Sequence, residues 1–217
     1  PSELTKLGIV ILLSRYFHRR SYPQGLGLRN MLIPFLMILP AILLVVKEPD
    51  MGTAIMLLLI SLSLFSFMGI RLRSLLILGA LIGVGSPFLW FALKGYQRQR
   101  IISFFNPYRD PLGSGYHLIQ SKIALGSGGI WGKGFLQGTQ CKLQFLPQHH
   151  TDFIFALIGE EWGFAGCMVV LLLFFLLIIW GLQTASQAKD RFGAILSFGI
   201  TAILFWHVIT NVGMVLG

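Results

Sequence analysis

Residues 162–182 read WGFAGCMVVLLLFFLLIIWGL, an apolar run without a single charged side chain. A helix needs about 20 mainly apolar residues to cross the hydrocarbon core of a bilayer, and this run is long enough. Five further stretches are candidates of the same kind. They are Leu4–Phe17, short and carrying Lys6 and Arg15; Met31–Val46, with Pro34 and Pro40; Gly52–Ile70; Ser74–Leu93; and Phe192 to the end. A shorter apolar stretch, Phe153–Ile158, precedes the Trp162–Leu182 run. None of these segments has the two-faced pattern of a surface helix, and neither strand alternation nor an internal repeat is present. The pattern predicts an all-α polytopic membrane protein, a bundle of transmembrane helices with one long segment outside the bilayer.

The totals agree. Of 217 residues, 55% are hydrophobic and 12% charged, and the mean hydropathy is +0.76. A soluble domain carries about 25% charged residues, so this chain has too little polar surface to face water on all sides. That excludes a soluble globular enzyme, a disordered chain and a disulfide scaffold. Cys141 and Cys167 cannot build a disulfide framework, and Cys167 lies in an apolar run. The formal charge of +9 implies an anionic partner, either lipid headgroups or a phosphorylated substrate. Nucleic acid would need a soluble basic surface, which is missing. With no initial Met and an end inside an apolar stretch, the chain reads as a piece of a larger protein, without a signal peptide. It is expected to be a single, partial transmembrane domain over 1–217, with 94–152 as an extracytoplasmic segment containing short interfacial helices.

Parity then sets a topology. If all six segments span, the start of the chain, the Lys47–Met51 hairpin and segment 94–152 share one side. The loops 18–30, 71–73 and 183–191 share the other. Those loops hold Arg19, Arg20, Arg29, Arg71, Arg73, Lys189 and Arg191, against Lys47 alone in the opposite hairpin. The positive-inside rule puts the arginine-rich loops in the cytoplasm. Glu3, Glu48, Asp50, Asp110, Asp152, Glu160 and Glu161 then fall on or near the outer face, with Asp190 inside. Ionisable groups at membrane depth are costly and by default functional, so the outer face is where chemistry is expected.

Asp152 is the sharpest candidate, sitting where the polar stretch Leu146-Pro147-Gln148-His149-His150-Thr151 meets the apolar Phe153. It can cap a helix beginning near Phe153. Partial desolvation at the boundary can equally suit it to act as a general base. The two roles are compatible. His149 and His150 invite a metal, but adjacent histidines point apart and no third ligand has recognisable spacing, so polar interfacial residues are the better reading. Lys47-Glu48-Pro49-Asp50 reads as a solvated turn between spans, and Ser2 and Glu3 as the start of a helix. Either Glu3 or Glu48 could instead line an outer cavity.

Segment 95–151 carries Arg98, Arg100, Arg109, Lys122, Lys133 and Lys142 against Asp110 alone, interleaved with aromatic residues. Tyr116–Leu125 reads as a short amphipathic helix, apolar at Leu118, Ile119 and Ile123 and polar at Gln120, Ser121 and Lys122. The glycines of Gly126-Ser127-Gly128-Gly129-Ile130-Trp131-Gly132-Lys133-Gly134 lack the setting of a nucleotide P-loop, so no nucleotide is expected. The bland reading is a flexible interfacial loop with an aromatic belt. The sharper one is a basic, adaptable cradle for a phosphorylated lipid headgroup. Composition and spacing leave an enzyme on an anionic lipid and a transporter of one equally open.

Several motifs, in this order, resemble the SEDS (shape, elongation, division and sporulation) membrane proteins. They are Pro1-Ser2-Glu3, Lys47 to Ala54 (KEPDMGTA), Arg100-Ile101 with Phe105-Asn106-Pro107, Asp110 to Tyr116 (DPLGSGY), Gln120-Ser121, Gly126 to Gly129 and His150 to Ala156 (HTDFIFA). The stretches Pro147 to Phe153 and Gly159 to Phe164 look more like the RodA-type (elongation) members than the FtsW-type (division) ones. The resemblance implies a fold of about ten membrane helices, of which this chain covers a fragment. It also implies a peptidoglycan glycosyltransferase that polymerises lipid II on the outer face of the bacterial inner membrane. Asp152 matches the family's essential aspartate, and Glu3 and Glu48 match its two motif glutamates. A class B penicillin-binding protein transpeptidase as partner and support by a divalent cation, Mg2+ or Mn2+, follow from the same resemblance. Asp152 would then deprotonate the acceptor sugar, with Arg98, Arg100, Lys122 and Lys133 facing the pyrophosphate leaving group. A lipid II flippase and a non-catalytic scaffold for the transpeptidase are the alternatives. A transporter's acids belong near the bilayer midplane, at broken helices.

Overall fold

The structure, a computed structural model, describes residues 2–20, 22, 25–48, 50–92, 95, 98, 102, 116–135, 137–138 and 154–216. Among the described residues there are seven helices: α1 (Ser2–His18), α2 (Leu28–Lys47), α3 (Met51–Phe67), α4 (Leu72–Ala92), α5 (Tyr116–Ser127), α6 (Ile154–Gln187) and α7 (Arg191–Leu216). An isolated bridge between Leu26 and Ile70 accompanies them. The all-α membrane fold is therefore as the hydropathy pattern predicts.

Among the described residues, α2, α6 and α7 are long and apolar enough to cross a membrane. Of the other three expected spans, α4 runs over 21 residues, Leu72–Ala92, while α3 and α1 have 17 residues each. At 1.5 Å per residue such a helix covers about 26 Å, under the hydrocarbon core of about 30 Å. The expected Phe153–Ile158 and Trp162–Leu182 segments are joined in the single element α6, which is broken at Gly163.

Two compact units divide the chain, one of Pro1–Gly85 with Leu177–Trp206 and one of Ser86–Leu176 with His207–Gly217. In the first, α1, α2 and α3 pack on one another. Val10, Leu13 and Phe17 of α1 meet Ile38 of α2, Leu57, Ile60 and Leu64 of α3, and Ile195 of α7 in one buried cluster. Glycines let the helices approach: a Cβ on Gly199 would lie 2.4 Å from Val10 Cγ1, and one on Gly181 2.2 Å from Thr201 Oγ1. Polar side chains are satisfied locally. Ser14 donates to the Val10 carbonyl (2.7 Å), Ser61 to that of Leu57 (2.6 Å) and Thr201 to that of Ser197 (2.8 Å). Trp206 Nε1 donates to Ser63 Oγ at 2.9 Å. Lys6, one of the two charges inside the first expected span, is buried and pairs with Glu3 Oε1 at 2.6 Å.

The charged hairpin is more than a solvated turn. The Glu48 amide closes α2 on the Leu44 and Val45 carbonyls. Asp50 opens α3, accepting from the Thr53 amide at 3.0 Å and the Thr53 hydroxyl at 2.6 Å. In the second unit, Ala124 of α5, Phe155, Ala156 and Cys167 of α6 and Val215 of α7 form the core; Cys167 is a free thiol.

The cap at Asp50 has a measurable value. Asp50→Ala should lower the stability of detergent-solubilised protein by about 1 kcal/mol, and Asp50→Ser should retain most of it, in thermal melts followed by circular dichroism.

Candidate functional site

Gly163 sits at φ 67, ψ −166, a conformation that only glycine adopts readily. In an unbroken helix the amides of Phe164 and Ala165 would donate to the carbonyls of Glu160 and Glu161. The break separates these partners, and a backbone group released in apolar surroundings is costly until it finds another. The glycine-rich loop after α5 supplies all four replacements. Lys133 N donates to Glu160 O and Gly134 N to Glu161 O, both at 3.0 Å, while Phe164 N donates to Gly129 O (2.9 Å) and Ala165 N to Ile130 O (3.0 Å). Two helical hydrogen bonds are exchanged for four loop–helix ones.

This exchange explains the glycines. A Cβ on Gly128 would lie 1.9 Å from Gly159 O, one on Gly132 2.1 Å from Glu161 O, and one on Gly163 2.3 Å from Gly132 N. The loop is thus tied to α6 through its main chain, where the sequence suggested a flexible or adaptable segment. The preceding helix also differs from expectation. Its buried side presents Ser121 and Ala124, with Leu125 against Gly159, while Ile123 is 47% exposed. Close approach favours small side chains over bulky apolar ones. Ser121 is satisfied within α5, by the Leu118 carbonyl at 2.9 Å.

A charge pair reinforces the same junction. Lys133 Nζ lies 2.7 Å from Glu160 Oε1, with the two side chains 29% and 1% exposed. A carboxylate so buried requires a counter-charge. Gly138 leaves room for the Glu160 carboxylate, since a Cβ there would come within 2.9 Å of Oε2. Around the break, Trp131, Phe135, Trp162 and Phe164 are exposed, an arrangement suited to the membrane–water boundary. The break divides α6 unequally. Residues 164–187 would extend about 36 Å, enough to cross the hydrocarbon core unaided. Gly163 therefore falls at an edge of the span rather than at its middle.

The residues singled out in the sequence are distributed as follows. Glu3 and Glu48 belong to the first unit, where Glu3 pairs with Lys6 and the Glu48 side chain is exposed. Arg98, Lys122 and Lys133 belong to the second. Arg98 Nη2 donates to the Phe91 carbonyl at 2.6 Å, in the last turn of α4, and its Nε is enclosed without a hydrogen-bond partner. Lys122 is half-buried on α5, without an ion-pair partner among the described residues. Asp152, Arg100, His149, His150 and Cys141 lie outside the described residues; α6 starts at Ile154, two residues past Asp152. Among the described residues no three His, Cys, Asp or Glu side chains come together as metal ligands. Glu160 is the functional candidate that sequence reasoning passed over. Its signal was an adjacent acid pair, Glu160-Glu161, opening an apolar run.

Residues 1–217 match the FtsW/RodA/SpoVE family of cell cycle proteins. The chain is 44% identical over its whole length to the peptidoglycan glycosyltransferase MrdB of Escherichia coli K12, covering 58% of that protein. It is 36% identical to the probable peptidoglycan glycosyltransferase FtsW of Trichlorobacter lovleyi, covering 56%, so the RodA-type lean holds. It thus spans somewhat under three-fifths of the length of these relatives. A solved structure described under the structural coordination of polymerization and crosslinking by a peptidoglycan synthase complex superposes with a TM-score of 0.81 at 29% identity, covering 100% of this chain and 59% of that one.

The close loop–helix approach predicts a position-specific effect. Gly128→Ala should destabilise the solubilised protein by about 1–3 kcal/mol. Gly126→Ala, whose Cβ meets nothing within 4 Å, should leave the thermal midpoint unchanged or raised.

Proposed function

The chain belongs to the FtsW/RodA/SpoVE (SEDS) family of cell cycle proteins, and on that premise we propose that it carries the catalytic part of a peptidoglycan glycosyltransferase. It polymerises lipid II on the outer face of the bacterial inner membrane, in support of cell elongation. The observation that carries the reading is the match of residues 1–217 to this family. In sequence Asp152 stands two residues before Ile154, where α6 begins, and the first turns of α6 are bound through the main chain to a glycine-rich loop. Its relatives by name are peptidoglycan glycosyltransferases.

The chemistry follows from the groups present. The Asp152 carboxylate accepts the proton of the acceptor sugar's 4-hydroxyl as that oxygen attacks the anomeric carbon of the lipid-linked donor. The bond from that carbon to the pyrophosphate oxygen breaks, and the anomeric centre inverts. A positioned base contributes about 10²- to 10⁴-fold. The departing polyprenyl pyrophosphate gathers negative charge, which fixed cations stabilise. Lys122, Arg98 and Arg100 are assigned that purpose; Lys133 is already engaged with Glu160. Glu3 and Glu48, which match the family's motif glutamates, are assigned to substrate binding. A divalent cation, Mg2+ or Mn2+, would find no ligand set among the described residues, and the steps written here run without it. A class B penicillin-binding protein transpeptidase is the partner that cross-links the product.

A flippase is the less suitable reading. Its discontinuous helix would open at the bilayer midplane with the freed backbone groups facing cargo. Here the break lies toward one end of α6, and the glycine loop takes up those groups.

The test is glycan-chain formation from purified lipid II by the full-length protein with its transpeptidase partner, which must carry no glycosyltransferase domain. The wild type should form polymer and Asp152→Asn at least about 100-fold less. Polymer from both would place the base elsewhere and leave Asp152 a helix cap.

A further inference from the structure

At one end of the first unit the structure gathers three loops that lie far apart in the sequence. Leu26 N donates to Gly69 O at 2.7 Å and Arg71 N to Leu26 O at 3.2 Å, which pairs the α1–α2 loop with the α3–α4 turn. Phe17, in the last turn of α1, packs edge to face on Tyr22 at 6.3 Å and on Phe65 of α3 at 5.9 Å. His18 meets Phe192 of α7 in the same way at 6.2 Å, which brings in the turn between α6 and α7. Loops 18–30, 71–73 and 183–191 carry seven Lys and Arg against Asp190 alone. Asp190 accepts from the Gly193 amide at 3.0 Å, at the start of α7. Arg19, Arg20, Arg29, Arg71, Arg73 and Lys189 are exposed. The opposite end of the unit is mixed, with Glu3, Lys6, Lys47, Glu48 and Asp50.

Like charges gathered on one surface repel, and an anion shared among them removes that cost. Two helices show what kind of anion. Arg29 stands in the first turn of α2 with Leu32 and Ile33 exposed three and four residues on; Arg73 stands in the first turn of α4 with Leu76 and Ile77 exposed at the same spacing. Residues so spaced share a helix face, so each face presents a guanidinium and then an apolar strip. Neither arginine serves its helix, whose N-terminal end favours an acid. Depth agrees. With 17 residues each, α1 and α3 fall short of the hydrocarbon core, and spans that short are accommodated by thinning and by snorkelling of the flanking cations, which keeps this end among the phosphates. We infer that the arginine-rich end of the first unit binds anionic phospholipid headgroups of the leaflet it faces, the cytoplasmic one by the positive-inside rule. The cations take the phosphates, and the apolar strips of α2 and α4 take the acyl chains, which a soluble anion lacks.

The experiment titrates the full-length protein, in nonionic detergent, with phosphatidylglycerol or with phosphatidylcholine of the same acyl chains, and counts bound lipid by native mass spectrometry. Four proteins are compared. They are wild type; a variant combining Arg19→Gln, Arg29→Gln, Arg73→Gln and Lys189→Gln; its charge-keeping counterpart with Arg19→Lys, Arg29→Lys, Arg73→Lys and Lys189→Arg; and Lys47→Gln at the opposite end. Each cation at an anionic surface is worth about fivefold, so wild type should hold phosphatidylglycerol at least about tenfold more tightly than phosphatidylcholine. The glutamine variant should lose most of that preference, while the counterpart and Lys47→Gln keep it within about threefold. Added salt should weaken it, and glycerol phosphate, which has no acyl chains, should not displace the lipid. Equal retention of the two lipids by wild type would overturn the proposal. Full preference in the glutamine variant, its loss in Lys47→Gln, or displacement by glycerol phosphate would do the same. Preference for a polyglutamate peptide over phosphatidylglycerol would make this end a docking site for an acidic protein instead. Should the glutamine variant fail to fold, Arg29→Gln with Arg73→Gln carries the same readout. No lipid II is present, so the result stands apart from the glycosyltransferase reading.

Discussion

A peptide group released inside an apolar environment must be paired within the protein, because no water is at hand to receive it. At Gly163 this constraint is met by the loop after α5, which takes up the two carbonyls and two amides that the break sets free. Most features of the second unit follow. The loop must come within main-chain distance of α6, so glycine stands at positions 128, 132 and 163, where a Cβ would collide with backbone, while Gly159 makes room for Leu125 of α5. The facing side of α5 must be shallow, so it buries Ser121 and Ala124 while Ile123 turns outward. A buried Glu160 can then be tolerated, since the same loop brings Lys133 to it.

The first unit meets the constraint more simply. Its hydroxyls return to the carbonyl one turn back in their own helix, which satisfies a polar group without calling on a neighbour. Lys6 takes a carboxylate one turn away. Association then rests on packing and close approach, with Phe17 against Phe65 edge to face at 5.9 Å and Phe67 stacked on Phe198 at 4.3 Å. The two units thus solve one problem differently: local pairing in unbroken helices, and pairing between distant segments where a helix is broken. The second solution fixes a glycine-rich loop and its Lys133 against the first turns of α6.

Hydropathy alone made the long spans legible, because a bilayer demands long apolar runs whatever their partners. The acids and cations worth attention were equally legible, since charge is rare in such a chain. Less legible was what those groups do. Asp50 looked like part of a solvated turn and proves to be the cap of α3. Tyr116–Leu125 looked amphipathic by the usual apolar pattern, yet smallness, not hydrophobicity, marks its buried side. The Gly126–Gly134 run looked flexible because glycine permits many conformations; contact with α6 selects one.

The sequence by itself therefore determined the class of the molecule, the places of its apolar helices and the motifs that tie it to its family. Each is a property of neighbouring residues, or of their order, and survives without knowledge of the fold. Only the tertiary structure decided that the glycine loop completes a broken helix and that Lys133 answers Glu160. Those pairings join main-chain groups and side chains about thirty residues apart, 27 for the ion pair. Backbone hydrogen bonding leaves no side-chain pattern in the sequence from which the pairing could be read.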